Sequence, residues 1–262
     1  MSVTRTSFDI LTEPPPTDAD VRLTYGPEPL QFGDLRLPGG VGNGPHPLVV
    51  MIHGGAWQAI YNLTHAGHLC VDLAEHGIAS WNIEYRRIGD PGGGWPGTGD
   101  DVLLALNYVH ELERNYPVDL ERVVLMGHSA GGHLAVWSSL NTDLPLRGVI
   151  SLAGTVDMHT HAAAGHDHGL ITRLLGGGPE DKPELWQSVS PRQHLPWPVK
   201  TVLICGTADV HWSHNEETAE AARQVGGDVE FISLPDADHF EVVDPPAAEW
   251  KVVRRTIERL IE

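Results

Sequence analysis

The residues Gly127-His128-Ser129-Ala130-Gly131 set a serine between two glycines, directly after the apolar run Val123 to Met126 and ahead of a helical pattern carrying Leu134, Ala135 and Val136. A strand-to-helix turn of this kind projects a serine Oγ from a tight, strained backbone, and the glycines let the flanking chain pass close by. Such a serine can attack a carbonyl carbon if a base takes its proton and N–H donors meet the charge that develops on oxygen.

The base expected for it is His239, in Asp238-His-Phe240, a few residues after the apolar run Val229 to Leu234. With sixteen histidines in the chain, position rather than residue type selects this one. An imidazole can accept the serine proton and return it to a leaving group. It needs a carboxylate to fix its tautomer, and Asp209 stands on the turn after Val202 to Cys205. Asp157 is the substitute acid, Asp236 and Asp238 are read as shaping the histidine loop, and a turn or helix-capping role is the plain alternative for Asp209.

The third requirement points to His53-Gly-Gly-Ala-Trp57, after the strand Pro47 to Ile52. Gly55 and Ala56 of this loop, with the amide of Ala130 after the nucleophile, are the expected oxyanion hole, and His53 is expected to order the loop. Without the serine elbow the same residues would read as an ordinary Gly-Gly turn. His128 beside the nucleophile, and Trp57 and Trp212 after two of the turns, are candidates to line a substrate pocket; core packing competes for both tryptophans.

These turns are positioned by an alternation of elements. Short apolar runs at Leu48 to Ile52, Ile78 to Ile83, Val123 to Met126, Val149 to Leu152, Val202 to Cys205 and Val229 to Leu234 read as strands buried on both faces. Helical patterns fall between and after them at Thr64 to His76, Asp100 to Asn115, Ala130 to Asn141, Glu216 to Val225 and Ala247 to Ile261. Val21 to Tyr25 and Leu30 to Leu37 alternate and predict an antiparallel edge. Right-handed crossovers wind such a chain into an α/β fold, a mostly parallel sheet with helices on both faces and ligands beyond the carboxyl ends of the strands. Residues 1–20, with Pro14-Pro15-Pro16, read as an irregular surface arm, and residues 21–262 as one domain. Within that domain, Thr155 to Leu195 breaks the alternation and reads as a cap-like insertion over the strand ends.

Composition narrows the function further. A hydrophobic fraction of 41% and a charged fraction of 20% are ordinary for a globular chain, and no stretch reaches the length of a membrane span. The formal charge of −18 argues against nucleic acid and anionic membranes as partners. The N-terminus lacks the pattern of a secretory signal, so a cytoplasmic location is expected. Cys70 and Cys205 lie in apolar stretches and read as buried thiols. His159, His161, His166 and His168 have metal-like spacings but no accompanying cysteine, and the chemistry needs no metal; neither metal nor cofactor is expected. The expected partner is a small ester or amide, with self-association into a homo-oligomer left open.

Taken together, these residues resemble the α/β-hydrolase superfamily over nearly the whole chain, in its small-esterase branch that includes hormone-sensitive-lipase-like and kynurenine formamidase (arylformamidase) groups. Tyr25-Gly-Pro-Glu-Pro, Glu84-Tyr-Arg-Arg and Ser190-Pro resemble recurring segments of those esterases, and His-Gly-Gly-Ala-Trp is similar to the HGGxW pattern of the formamidases. The resemblance implies a serine hydrolase acting through an acyl-enzyme, first as a carboxylesterase for short acyl chains and alternatively as an arylformamidase cleaving N-formylkynurenine. A peptidase is disfavoured for want of room for a further large domain. A different class, a non-catalytic receptor on the same scaffold, would be marked by tight binding without turnover.

Overall fold

The computed structural model describes residues 5–40, 43–166 and 169–262. The strands are β1 (Val21–Thr24), β2 (Phe32–Arg36), β3 (His46–Ile52), β4 (Ala79–Ile83), β5 (Val118–His128), β6 (Gly148–Leu152), β7 (Thr201–Gly206) and β8 (Val229–Leu234). They form one sheet in the order β1-β2-β4-β3-β5-β6-β7-β8. β1 pairs with β2, and β2 with β4, antiparallel, and every later pair is parallel. The expected antiparallel edge and parallel interior are both present.

The helices are α1 (Ser7–Leu11), α2 (Gly67–Glu75), α3 (Gly97–Asn115), α4 (Ala130–Ser139), α5 (Met158–Ala163), α6 (Leu170–Leu175), α7 (Pro183–Val189), α8 (Trp212–Gln224) and α9 (Ala248–Ile261). Because side chains alternate across a strand, β3 feeds two cores. Leu48, Val50 and Ile52 join a cluster with Val102, Leu106 and Val109 of α3, Leu134 of α4 and Ala219 of α8. Val49 and Met51 face the opposite way, with Leu69 and Leu73 of α2 and Trp250, Val253 and Ile257 of α9. The three-and-four spacing in α9 aims one apolar stripe at the sheet, and the Trp250 indole N–H also donates to Asp72 at 2.7 Å. Burying a side chain of this kind contributes about 1.5–3 kcal/mol, so the strand ends are anchored from both faces.

Several boundaries differ from the expected ones. The pattern at Thr64 to His76 divides into a 3-10 turn, Leu63–Ala66, followed by α2, with the Asn62 side chain accepting the Thr64 N–H at 2.9 Å. α8 begins four residues early, at Trp212. The arm is not wholly irregular either: α1 lies within it, Ile10 is buried, and Arg5 reaches Asp244 and Glu13 at 2.6 Å each. Apolar anchoring and a long-range ion pair fold the arm back, which its local composition does not reveal. The described residues of 155–195 form α5, α6 and α7; within the segment Ser190 Oγ accepts the Met158 N–H, and His133 of α4 joins it to the body by donating through Nε2–H to the Val189 carbonyl.

Candidate active site

Ser129 lies between β5 and α4 at φ 54°, ψ −117°, a conformation that side-chain-bearing residues rarely adopt. Its N–H donates to the Leu152 carbonyl of β6 at 2.8 Å. The flanking glycines are required by close approach. A Cβ on Gly127 would lie 2.1 Å from the Gly131 carbonyl oxygen, and one on Gly131 would lie 2.0 Å from that of Ile52.

His239 and Asp209 meet across the turns after β8 and β7. His239 Nδ1 donates to Asp209 Oδ2 at 2.6 Å. An ionised carboxylate only accepts, so the Nδ1 proton is fixed and the lone pair of the neutral ring is assigned to Nε2. Asp209 Oδ1 is occupied as well, accepting the backbone N–H and Nδ1–H of His211 at 2.8 Å each. Burial alone would raise the Asp209 carboxyl, but the hydrogen bonds from His211 and His239 outweigh it and hold the group well below the usual carboxylate range. The turn role weighed for Asp209 is thus present in addition to the pairing with His239. Asp157, the substitute acid, instead caps α5 through Thr160 and pairs with Arg192 at 3.4 Å.

The loop after β3 carries consecutive positive φ angles at Gly55 (113°), Ala56 (51°) and Trp57 (56°). Gly54 packs on the nucleophile turn, where a Cβ would come 2.9 Å from the His128 carbonyl oxygen and 3.2 Å from Ser129 Cβ. His53 is fully buried, with Nδ1 donating to the Gly54 carbonyl at 2.7 Å and Nε2 to Glu84 Oε1 at 2.9 Å. Glu84 also accepts the N–H groups of Leu63 and Tyr85 and pairs with Arg87 at 2.8 Å. Burial opposes ionisation of Glu84, but His53, Arg87 and the Tyr85 amide prevail and lower its carboxyl. The Glu84-Tyr-Arg-Arg segment therefore acts as a buried clasp on this loop.

Ser129 and His239 line one cavity of about 150 Å³ with Gly55, Ala56, His128, Leu11, Gln58, Tyr61, His65 and Phe240. His128 is among these lining residues, its Nε2–H donating to the His239 carbonyl at 2.8 Å. Ala130 is buried at the start of α4, next to Ser129. Neither tryptophan lines the cavity. Trp57 is buried edge-on to His133, with ring centroids 5.5 Å apart, and Trp212 donates its indole N–H to Ser233 Oγ on β8 at 2.8 Å. Nearness in sequence to the turns after β3 and β7 does not decide where those side chains point. The wall comes from residues 55–65 and the arm rather than from 155–195. Leu11, His65 and His211 carry no local motif that would single them out. Desolvation, followed by repulsion from His53, lowers the His65 imidazole to about 3.

Both cysteines are buried thiols, as expected. Of the spaced histidines, His168 lies outside the described residues, while His161 and His166 stand near His214. No helix among the described residues is long and apolar enough to cross a membrane.

A mostly parallel sheet with a serine elbow after β5, an acid after β7 and a histidine after β8 defines an α/β-hydrolase. Residues 34–219 match the BD-FAE family model, and the chain belongs to that family. Among curated proteins it is similar to isoprenylcysteine alpha-carbonyl methylesterase ICME of Arabidopsis thaliana, at 24% identity over 244 residues covering 84% of this chain and 56% of the relative. It is also similar to Esterase LipC of Mycobacterium tuberculosis (strain ATCC 25618 / H37Rv), at 23% over 244 residues covering 85% and 60%. The chain thus spans little more than half the length of these relatives. A solved bacterial heroin esterase superposes with a TM-score of 0.75 at 25% identity, covering 88% of this chain and 80% of that one. A truncated carbohydrate esterase from gut microbiota superposes with a TM-score of 0.79 at 19% identity, covering 94% and 99%, a likeness of fold.

Proposed function

We propose that this chain is a carboxylic-ester hydrolase working through Ser129, His239 and Asp209, on small esters with short acyl groups. The observation that carries this reading is the 2.6 Å bond from His239 Nδ1–H to Asp209, made by a histidine that shares a cavity with Ser129. His239 Nε2 takes the Ser129 proton as Oγ attacks the ester carbonyl. The amides of Gly55, Ala56 and Ala130 hold the oxyanion, and the imidazolium, steadied by Asp209, protonates the departing alcohol. Water then enters, gives its proton to the same nitrogen and releases the acid, restoring the free serine. A cavity of about 150 Å³ suits a short acyl chain, and the relatives and structures named above are esterases.

The test is turnover of p-nitrophenyl acetate by the wild type and by Ser129→Ala, with folding followed by circular dichroism. Activity lost with the fold intact supports the reading, and activity retained rejects it. Side-by-side kcat/KM values for p-nitrophenyl acetate and N-formylkynurenine decide the acyl group. A higher value for the formamide would transfer the same machinery to an arylformamidase, and tight binding without turnover would mark a receptor.

A further inference from the structure

Behind the triad acid stands a group of imidazoles that the ester chemistry does not use. His161 of α5 and His214 of α8 are both buried, and His161 Nδ1 lies 3.1 Å from His214 Nε2. The exposed ring of His166, on the turn after α5, has its centroid 5.7 Å from that of His161 and 6.3 Å from that of His214. His211 stacks on His161 at 4.5 Å but is already held by Asp209 and by Thr155 Oγ1.

We propose that His161 and His214, with His166 swinging in as a third donor, form a binding site for a divalent transition-metal ion such as Zn2+, clipping α5 to α8.

Two nitrogens on a tetrahedral zinc with bonds of 2.0–2.1 Å stand about 3.3 Å apart, close to the 3.1 Å between His161 Nδ1 and His214 Nε2. One proton now bridges these nitrogens. Replacing it with a metal requires that one ring move its proton to its far nitrogen, with no net proton released. Desolvation and the neighbouring imidazoles keep both rings neutral, the form that offers a lone pair. The nearby carboxylates acting on His214 are Asp157 and Glu217, and the cation Arg192 is paired with Asp157. A formal charge of −18 adds a long-range attraction for a cation. All-nitrogen donors of this type suit Zn2+, Cu2+, Ni2+ or Co2+ over Mg2+ or Ca2+. The sequence spacing alone hides the site, because one of its two buried ligands comes from α8.

Isothermal titration of the full chain with ZnCl2, and with MgCl2 as control, tests this directly. The wild type should bind one Zn2+ with micromolar affinity and no Mg2+, and CoCl2 should give the intense visible d–d bands of a four-coordinate site of three imidazoles and one water. His161→Gln and His214→Gln should each weaken Zn2+ binding by about 10–100-fold, and His166→Ala by about tenfold. A melting curve of each variant without metal shows whether it folds, and the wild-type cobalt spectrum stands whatever the variants do. The competing site is Asp209, His211 and His239, whose ligand atoms lie within 4.8 Å of one another. Zinc affinity unchanged in the His161 and His214 variants but lost in His239→Ala would overturn the proposal, as would six-coordinate cobalt or no binding at all. None of these readouts depends on ester turnover.

Discussion

Glu84 grips His53 through a 2.9 Å hydrogen bond in a region where the two side chains are 2% and 0% exposed. The same carboxylate takes the amides of Leu63 and Tyr85 and the guanidinium of Arg87, so one buried charge organises the loop that carries Gly55 and Ala56. Glu84→Gln should lower stability by about 3 kcal/mol, the cost of leaving the buried Arg87 guanidinium without its carboxylate. It should also reduce kcat for p-nitrophenyl acetate by roughly tenfold to a hundredfold with little change in KM, since the loop acts on charge present only in the transition state. Urea unfolding and steady-state kinetics on one preparation check both effects. A rise in KM alone would move Glu84 from the oxyanion loop to substrate binding.

Backbone strain at Ser129 can be separated from the role proposed for its hydroxyl. Ser129→Ala keeps a Cβ at φ 54°, whereas Ser129→Gly does not. Both variants should lose turnover, and the glycine variant should be the more stable by about 1 kcal/mol, strain relief exceeding the extra chain entropy of glycine. Equal urea midpoints for the two would remove the strain from the account.

The arm sets one boundary of the cavity through Leu11, which lies outside the residues matched to the family. Leu11→Ala should raise the ratio of kcat/KM for p-nitrophenyl hexanoate over the acetate, on the order of tenfold. Leu11→Trp should lower it. A ratio that moves in neither variant would show that acyl length is set elsewhere.

Acid should weaken the fold through histidines that stay neutral inside it. His133 is fully buried and donates through Nε2 to the Val189 carbonyl; desolvation lowers its pKa to about 4. Below the ordinary value near 6.5 the unfolded chain binds a proton there and the native chain does not. Stability should therefore fall with pH from about 6.5 down to about 4, by about 1.4 kcal/mol per unit from this residue. His65 adds a slope of the same sign down to about 3. Urea unfolding at pH 7, 6 and 5 measures the combined slope, and His133→Gln should flatten it by its single-proton share. An unchanged slope in that variant would assign the acid sensitivity to other groups.

Local pattern revealed the strands and the three turns that hold Ser129, Asp209 and His239, because a parallel sheet writes itself as apolar runs and places its functional residues directly after them. Local pattern leaves Asp157 open beside Asp209, and only the folded chain brings His239 to Asp209, across turns after two neighbouring strands, while Asp157 caps α5. Pairings between distant segments were not legible. Glu84 attracted notice as part of a recurring segment, but its hold on His53 depends on β3 and β4 lying side by side. Three prolines make the arm look irregular, while Ile10 and Arg5 find their partners only in the folded chain. Sequence neighbourhood suggests a pocket role for Trp57 and Trp212, but it does not fix side-chain direction when the backbone turns sharply, as it does at Trp57.

The bond from His128 to the carbonyl of His239 couples two parts of the chain that lie far apart in sequence. His128, next to Ser129, holds the backbone of His239, while Asp209 holds its ring, so His239 is tethered through both its main chain and its side chain. A loop fixed in this way makes a poor door. The rest of the cavity wall comes from residues 55–65 and from Leu11 of an N-terminal helix whose neighbour Arg5 pairs with Asp244, so segments from both ends of the chain close around Ser129.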